Sequence, residues 1–157
     1  MKTLLILVTL VLILSISEIS SACSRVVYQG PNNYIITARS MDWEDEIPAN
    51  LWIFPAGMER NGEAGSNSVK WKSKYGSIIA SAYDIASADG MNEKGLVANL
   101  LWLAESQYPA YDGSRKGLSI AAWVQYVLDN FTSVEETVNE LRKEEFVIVS
   151  TYIPGTK

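Results

Sequence analysis

The 157-residue sequence predicts an α+β domain in which strands come first and a pair of helices follows. Apolar runs bounded by Gly, Pro, Asn or Asp recur between residues 25 and 103, and they do not alternate cleanly between apolar and polar positions. Such runs are typical of strands covered on both faces, and a sheet of that kind needs further layers. Residues 120–141 carry a helical periodicity that can supply them. Because no repeat or low-complexity linker divides the chain, we expect one layered domain.

Residues 1–22 are predicted to be a signal peptide. Lys2 gives a short positive start, residues 4–16 are almost entirely apolar, and Ser20 and Ala22 place small residues at the −3 and −1 positions of a cleavage site. The apolar run is shorter than the roughly 20 residues of a membrane span, and no basic stop-transfer cluster follows it. We therefore expect no stable membrane span, a domain that comprises residues 23–157, and a secreted or periplasmic location.

Cys23 is the only cysteine of the sequence, and it would be the first residue after this cleavage. A new α-amino group has an unperturbed pKa of roughly 7.7–8.0, against about 10.4 for lysine, so at neutral pH it can accept a proton from the neighbouring thiol. A nucleophile and a base on one residue are typical of an N-terminal nucleophile hydrolase. A free cysteine is, however, usually a small buried apolar residue, and that interpretation stays open at this point.

A bacterial lipoprotein signal offers a different use for the same residue. Such signals also end in a small residue followed by Cys, and acylation would turn Cys23 into a lipid anchor of an envelope binding protein. The leucine usual three residues before that cysteine is replaced here by Ser20. This departure favours simple secretion over lipidation.

The strand-like segments follow in order along the chain. Residues 25–28 and 34–39 flank a Gly-Pro-Asn-Asn turn and form a predicted hairpin that begins at Cys23. Further strands are predicted at residues 51–54, 76–82 and 96–103, and an apolar run at 146–151 resembles one more.

Two helices are predicted in the second half. An apolar stripe at helical spacing marks the first, and it consists of Ile120, Val124, Val127, Leu128 and Phe131. The second starts at Ser133, whose hydroxyl and the carboxylate of Glu136 form a capping box, with Val134, Val138 and Leu141 facing inward.

Composition excludes several classes of partner and cofactor. The formal charge of −5 is unchanged when residues 1–22 are removed, since Lys2 and Glu18 leave together. An acidic domain without basic runs is a poor candidate for nucleic acid or an anionic membrane. The sequence has no histidine, no cysteine cluster and no Gly-rich phosphate-binding motif, so we expect neither metal nor other cofactor.

Three motifs carry a resemblance to a known family. They are residues 23–25 (CSR), 36–43 (ITARSMDW) and 89–96 (DGMNEKGL). In this order they resemble the choloylglycine hydrolase family, which comprises penicillin V acylases and conjugated bile salt hydrolases. Residues 101–109 (LWLAESQYP) resemble its Gram-negative penicillin-acylase-like branch in particular. The resemblance implies the αββα sandwich of N-terminal nucleophile (Ntn) hydrolases and hydrolysis of a linear amide C–N bond.

The resemblance also implies roles for three catalytic residues. Cys23 would be the nucleophile, with its α-amine as the base. Arg39 would lie beside the sulfur, where a cation favours the thiolate, and Asp42 would orient the α-amine. On the residues alone, an ordinary ion pair at a strand end is the better explanation of Arg39 and Asp42.

Two tryptophans are implied substrate-binding residues. Trp43 and Trp102 would flank a pocket for an aromatic or long apolar acyl group, although without the resemblance a core or interface position is the more common explanation of a tryptophan. The backbone N–H of Trp102 matches an oxyanion-hole position. Residues 92–95 need no catalytic role, because a hairpin turn before the next strand explains them.

The matched sequence corresponds to the N-terminal half of the family's domain. The family's second oxyanion donor and a further arginine lie in its C-terminal half, so the chain is interpreted as a fragment or a truncated product, and an inactive remnant stays an alternative. Penicillin V, N-acyl homoserine lactones and conjugated bile salts are the implied candidate substrates. A homotetramer is the assembly that the resemblance suggests.

Overall fold

The structure is a computed structural model that describes residues 23–43, 45–103 and 105–150. The elements in chain order are β1 (Arg25–Gln29), β2 (Ile35–Arg39), β3 (Leu51–Phe54), β4 (Glu59–Asn61), β5 (Lys70–Lys72), β6 (Ser77–Ala82), β7 (Ala86–Asn92), β8 (Val97–Asn99), β9 (Gly117–Ser119), α1 (Ile120–Asn130), α2 (Val134–Leu141) and β10 (Val147–Val149). The signal peptide predicted for residues 1–22 lies outside the described residues.

The predicted hairpin at the start of the domain is confirmed. Strands β1 and β2 pair antiparallel, with Arg25 opposite Arg39, and a 3-10 turn at Pro31–Asn33 joins them. Asn32 and Asn33 adopt positive φ angles of 57° and 59°, which asparagine tolerates better than most residues. The register returns the chain from the end of β2 to the neighbourhood of Cys23.

A four-stranded antiparallel sheet forms the centre of the described domain. Its strand order is β3-β6-β7-β8, and helix α1 packs on one face of it. Four of the five residues of the predicted α1 stripe are confirmed as core, since they join sheet residues in one cluster of Ile79, Leu96, Val124, Val127, Leu128 and Phe131, whereas Ile120 lies outside that cluster. Burial of these side chains, at roughly 1.5–3 kcal/mol each, holds the helix on the sheet.

The other face of the sheet differs from the sequence prediction. We expected strands covered on both faces, yet Leu51 and Ile53 are 73% and 81% exposed and Ile78 is 39% exposed. The described helices cover one face only, which is why these apolar side chains remain in contact with solvent.

Asn92 joins the end of the sheet to the end of α1. Its side-chain amide donates to the carbonyls of Leu128 (2.9 Å) and Phe131 (2.8 Å), where a helix C-terminus leaves acceptors unpaired. Its side-chain oxygen accepts from the backbone N–H groups of Lys94 (3.1 Å) and Leu96 (3.0 Å). The predicted turn at residues 92–95 is therefore a structural turn built around this buried amide.

A buried carboxylate on α1 was not predicted from the sequence. Asp129 is 0% exposed and accepts from Trp71 Nε1 (2.7 Å) and Gln125 Nε2 (2.6 Å), while Arg60 Nε lies 3.4 Å away. Burial raises the pKa of this carboxyl, although these hydrogen bonds and the guanidinium act in the opposite direction. The cluster ties α1 to the β4–β5 hairpin.

Helix α2 begins as predicted but does not face inward as predicted. Ser133 Oγ accepts from the backbone N–H of Glu136 (3.2 Å), and Glu136 reaches back to the backbone N–H of Thr132 (2.7 Å). Val134 and Val138 are exposed, so the expectation that they face the core is wrong. The apolar spacing indicates which residues share a face, but nothing in the described residues covers this one.

One other segment differs from the sequence prediction, and a second agrees with it. The strand predicted for residues 96–103 is limited to Val97–Asn99, because the chain then leaves the sheet as a loop. The apolar run near residue 147 forms β10, which pairs parallel with β9.

Candidate active site

A cavity of about 180 Å³ lies where the end of β2, the β6–β7 turn and the loop after β8 meet. Its walls are mainly apolar and aromatic, with one thiol and one guanidinium. The lining residues are Cys23, Arg39, Met41, Trp43, Ile47, Ala82, Tyr83, Ala86, Ala88, Leu100, Leu101, Trp102, Leu103, Ser106, Tyr108, Ile120 and Ser150. Four of the five predicted site residues therefore lie at one cavity: Cys23, Arg39, Trp43 and Trp102.

The hairpin holds Cys23 at this cavity. The residue after it, Ser24, accepts from the backbone N–H of Ser40 (3.0 Å) and donates its own N–H to Ser40 Oγ (3.2 Å). These bonds extend the β1–β2 pairing to the start of the described chain. Cys23 is a half-buried free thiol.

Arg39 connects the hairpin to the four-stranded sheet. Its side chain is only 8% exposed, its Nε lies 3.1 Å from Asp89 Oδ1, and its Nη2 donates to the carbonyl of Leu100. The interpretation of Arg39 and Asp42 as an ion pair is thus wrong, because the partner of Arg39 is a carboxylate on β7. Its Nε and Nη1 are both buried without a hydrogen bond among the described residues, and only Nη1 also has no ionic partner there.

Asp42 is the predicted site residue that does not line the cavity. Its Oδ2 accepts a hydrogen bond of 3.0 Å from Ser40 Oγ, and the same hydroxyl accepts from the backbone N–H of Ser24. The carboxylate is therefore two hydrogen bonds from the residue that follows Cys23. This arrangement connects it to the start of β1 through Ser40.

The two predicted tryptophans contact each other at the cavity wall. The ring centroids of Trp43 and Trp102 are 5.5 Å apart with an interplanar angle of 87°, an edge-to-face pair. Trp43 follows β2 and Trp102 lies in the loop after β8, so the contact closes the cavity between these two segments. An apolar, aromatic wall of this kind suits a flat or extended apolar group.

Sequence reasoning missed several residues at this cavity. Asp89, which pairs with Arg39, belongs to the family motif at residues 89–96, but nothing in the sequence indicates that it contacts the β1–β2 hairpin. Tyr83 and Tyr108 add aromatic wall from the β6–β7 turn and the loop after β8. Strand register alone places Asp89 opposite Ala80 and Asn99, and the sequence does not specify that register.

Comparison with known proteins gives the family. A model of linear amide C–N hydrolases of the choloylglycine hydrolase family matches residues 23–157. The chain belongs to this family. The family expected from the three motifs is confirmed, and its match begins at Cys23.

Two curated relatives differ in similarity to the chain. A penicillin V acylase of Pectobacterium atrosepticum is 54% identical over 150 residues, which is 90% of this chain and 40% of that protein. A bile salt hydrolase/transferase of Lactiplantibacillus plantarum is 27% identical over 133 residues, which is 82% of this chain and 39% of that protein. The chain thus spans about 40% of the length of these relatives.

Solved structures agree with the expected fold class. The penicillin V acylase of Agrobacterium tumefaciens superposes with a TM-score of 0.78 at 66% identity, over 80% of this chain and 39% of that one. A mutant of the conjugated bile acid hydrolase of Clostridium perfringens gives a TM-score of 0.60 at 23% identity, over 87% of this chain and 43% of that one. The described α+β architecture is therefore part of an Ntn-hydrolase fold. None of its described helices has the length and apolar character needed to cross a membrane.

Proposed function

We propose that the complete protein hydrolyses a linear amide C–N bond in the manner of a penicillin V acylase, with Cys23 as nucleophile and its α-amine as base. The observation that carries this proposal is the cavity where a thiol, a guanidinium and two tryptophans meet. Two findings support it further: the family match begins at Cys23, and the 54% identical relative is a penicillin V acylase.

The proposed reaction begins once processing after Ala22 frees the α-amine of Cys23. The amine takes the thiol proton, Sγ attacks the amide carbonyl, and a tetrahedral oxyanion forms. The backbone N–H of Trp102 is the proposed donor to this oxygen. The C–N bond then breaks, and the proton held by the α-amine passes to the leaving amine. Water attacks the resulting thioester, so the products are a carboxylate and a free amine.

The cavity favours an acyl group with an aromatic ring. An apolar protein cavity of about 150 Å³ accommodates benzene, and the cavity here is about 180 Å³. The edges and faces of Trp43 and Trp102 offer the offset contacts that aromatic rings prefer. Penicillin V, whose acyl group ends in a phenyl ring, is therefore the first candidate, ahead of a long-chain N-acyl homoserine lactone and a bile conjugate.

The proposed location is outside the cytoplasm, secreted or periplasmic. This proposal rests on the leader-like residues 1–22 and on the match that starts directly after them.

The proposed assembly is a homotetramer, which light scattering on the purified complete protein would test. N-terminal sequencing and intact mass of the same sample test the processing. An unmodified Cys23 at the first position supports the enzyme, and a mass increased by acyl chains contradicts it in favour of a lipid anchor.

The activity itself is tested on the complete mature protein. Release of a primary amine is measured in parallel from penicillin V, a bile conjugate and a long-chain homoserine lactone. We expect turnover of penicillin V by the parent and none by Cys23→Ser, since an alcohol is a far poorer nucleophile with the same base. A form with one residue added before Cys23 should be equally inactive, because an amide nitrogen is not a base. Normal turnover by either variant would refute the mechanism.

A further inference from the structure

We propose that Asp89 is a positioning residue of the active site, which holds Arg39 and acts on Cys23 only through it. This inference rests on the proposed function, in which Arg39 stabilises the thiolate of Cys23. Asp89 itself does not line the cavity, whereas Arg39 and Cys23 both do. An effect of Asp89 on the chemistry must therefore pass through the guanidinium.

The geometry gives the guanidinium two fixed contacts and one free donor. Nε lies 3.1 Å from Asp89 Oδ1 on β7, and Nη2 donates to the carbonyl of Leu100. These two partners belong to different segments, so they fix the plane of the guanidinium as well as its position. With both contacts in place, Nη1 is the buried guanidinium nitrogen that has neither a hydrogen bond nor an ionic partner among the described residues. In the proposed reaction this nitrogen would donate to the sulfur anion or to a substrate carbonyl.

Asp89 is itself held by a neighbouring strand. Asn99 on β8 lies directly opposite it in the antiparallel register, and Asn99 Nδ2 donates to Asp89 Oδ1 at 2.8 Å. The chain of contacts therefore runs from β8 through β7 to the end of β2. Its components are rigid sheet positions, which suits a group that must hold Arg39 while acyl groups enter and leave.

The pairing also sets the charge near Cys23. A buried cation near a thiol favours the thiolate, and a carboxylate paired with that cation weakens the effect by partial cancellation. The other titratable groups at this site are the phenols of Tyr83 and Tyr108, the α-amine of processed Cys23, and Asp42 through Ser40. Asp89→Asn removes the negative charge with little change in shape, so it separates the electrostatic part of the role from the steric part.

A double-mutant cycle between Asp89 and Arg39 tests the proposal in the complete mature protein. The variants are Asp89→Asn, Arg39→Gln and the double variant. We expect Asp89→Asn alone to lower kcat on penicillin V by about 10²-fold, the scale of a small misplacement of a catalytic group. In the Arg39→Gln background, Asp89→Asn should change kcat by no more than about twofold, because Asp89 then has no guanidinium to position.

A second readout needs no turnover. The rate of alkylation of Cys23 by iodoacetamide, followed by mass spectrometry of its peptide, gives the pH midpoint of thiolate formation. We expect Asp89→Asn to move this midpoint when Arg39 is present and to leave it unchanged in Arg39→Gln. The expected direction is toward lower pH, since the guanidinium loses the carboxylate that partly cancels its charge, while the bond to Leu100 keeps it near the cavity without fixing its plane. A role in folding alone would leave the midpoint where it is.

Asp84→Asn is the matched control. This aspartate belongs to the turn of the same β6–β7 hairpin and accepts from Asn50 Nδ2 (2.7 Å), Trp52 Nε1 (3.0 Å) and Ser81 Oγ (2.6 Å), yet it does not line the cavity. Neither kcat nor the midpoint should change in this variant.

The outcomes separate this inference from the proposed function. The role of Asp89 is supported if Asp89→Asn lowers kcat and shifts the alkylation midpoint when Arg39 is present, and if neither change occurs in the Arg39→Gln background. The inference is overturned if Asp89→Asn changes kcat equally with and without Arg39. It is also overturned if the pH midpoint of Cys23 alkylation is unchanged and activity falls only in proportion to the fraction of unfolded protein. A parent protein without amidase activity overturns the proposed function instead, and the alkylation cycle still decides whether Asp89 acts on Cys23 through Arg39. If Asp89→Asn fails to fold, Asn99→Ala provides the same comparison by removing only the 2.8 Å support of the carboxylate.

Discussion

Gly90 lies where the sheet approaches α1 too closely for any side chain. A Cβ built at this position would lie 2.5 Å from Ile79 Cδ1, 2.7 Å from Leu128 Cδ1 and 2.7 Å from the backbone oxygen of Ile78. Carbon atoms pack best at about 3.5–4.0 Å, so Gly90→Ala requires movements of about 1 Å on two sides at once. Overpacking of a core costs about 1–3 kcal/mol. We expect the upper end, because the oxygen of Ile78 belongs to a paired strand and cannot rotate away.

Ile79→Val provides the test of this reasoning. It removes the Cδ1 atom nearest to the new methyl group and by itself costs about 0.5–1.5 kcal/mol. The double variant should therefore be more stable than the sum of the single losses predicts, by about 1 kcal/mol, while the contact with Ile78 keeps the recovery partial. Urea unfolding of the complete mature protein, followed by tryptophan fluorescence, measures all four free energies. Additive losses, or a stable Gly90→Ala variant, would refute the steric explanation.

Three shorter predictions address other parts of the molecule. Because burial raises the pKa of Asp129, its stabilising contribution is complete below the unfolded-state pKa and declines as the pH rises through the folded-state pKa. The unfolding free energy of the parent should therefore fall relative to Asp129→Asn between about pH 4 and neutrality, and parallel urea-midpoint curves for the two proteins would contradict this. Ser133→Ala should cost about 1 kcal/mol of unfolding free energy through loss of the α2 cap, whereas Ser114→Ala, in a loop, should change it little. Trp102→Leu should lower kcat/KM for penicillin V relative to a straight-chain acyl amide by up to about tenfold, and Trp52→Leu, outside this cavity, should not alter that ratio.

Local patterns predicted the elements that local forces determine. The Gly-Pro-Asn-Asn turn, the apolar stripe of α1 and the capping role of Ser133 each depend on residues within a few positions of one another, and the structure contains all three. The limits of such patterns are visible at Val134 and Val138. Their spacing places them on one face of α2, but whether that face is covered depends on other segments.

Long-range pairing accounts for what the sequence did not reveal. Arg39 reaches a carbonyl 61 residues away, and Trp71 donates to a carboxylate 58 residues away. The first contact depends on how the hairpin and the sheet are placed and the second on the placement of α1, and no short motif specifies either. Long-range packing also explains why β8 ends earlier than predicted. Residues 100–103 continue the apolar run, but they line the cavity instead of extending the sheet. The family motifs contained all five predicted site residues, four of which line the cavity, but the ionic partner of Arg39 became visible only in the structure.

The four hydrogen bonds of Asn92 imply that the β7–β8 turn and the last turn of α1 open together. Its amide and oxygen are shared between two segments that the backbone ladder does not connect. When one segment detaches, buried hydrogen-bond donors or acceptors of the other segment are left unpaired, and water cannot replace their partners, which costs free energy. In hydrogen exchange the amides of Leu96 and Phe131 should therefore report a common opening free energy, as members of one cooperative unit.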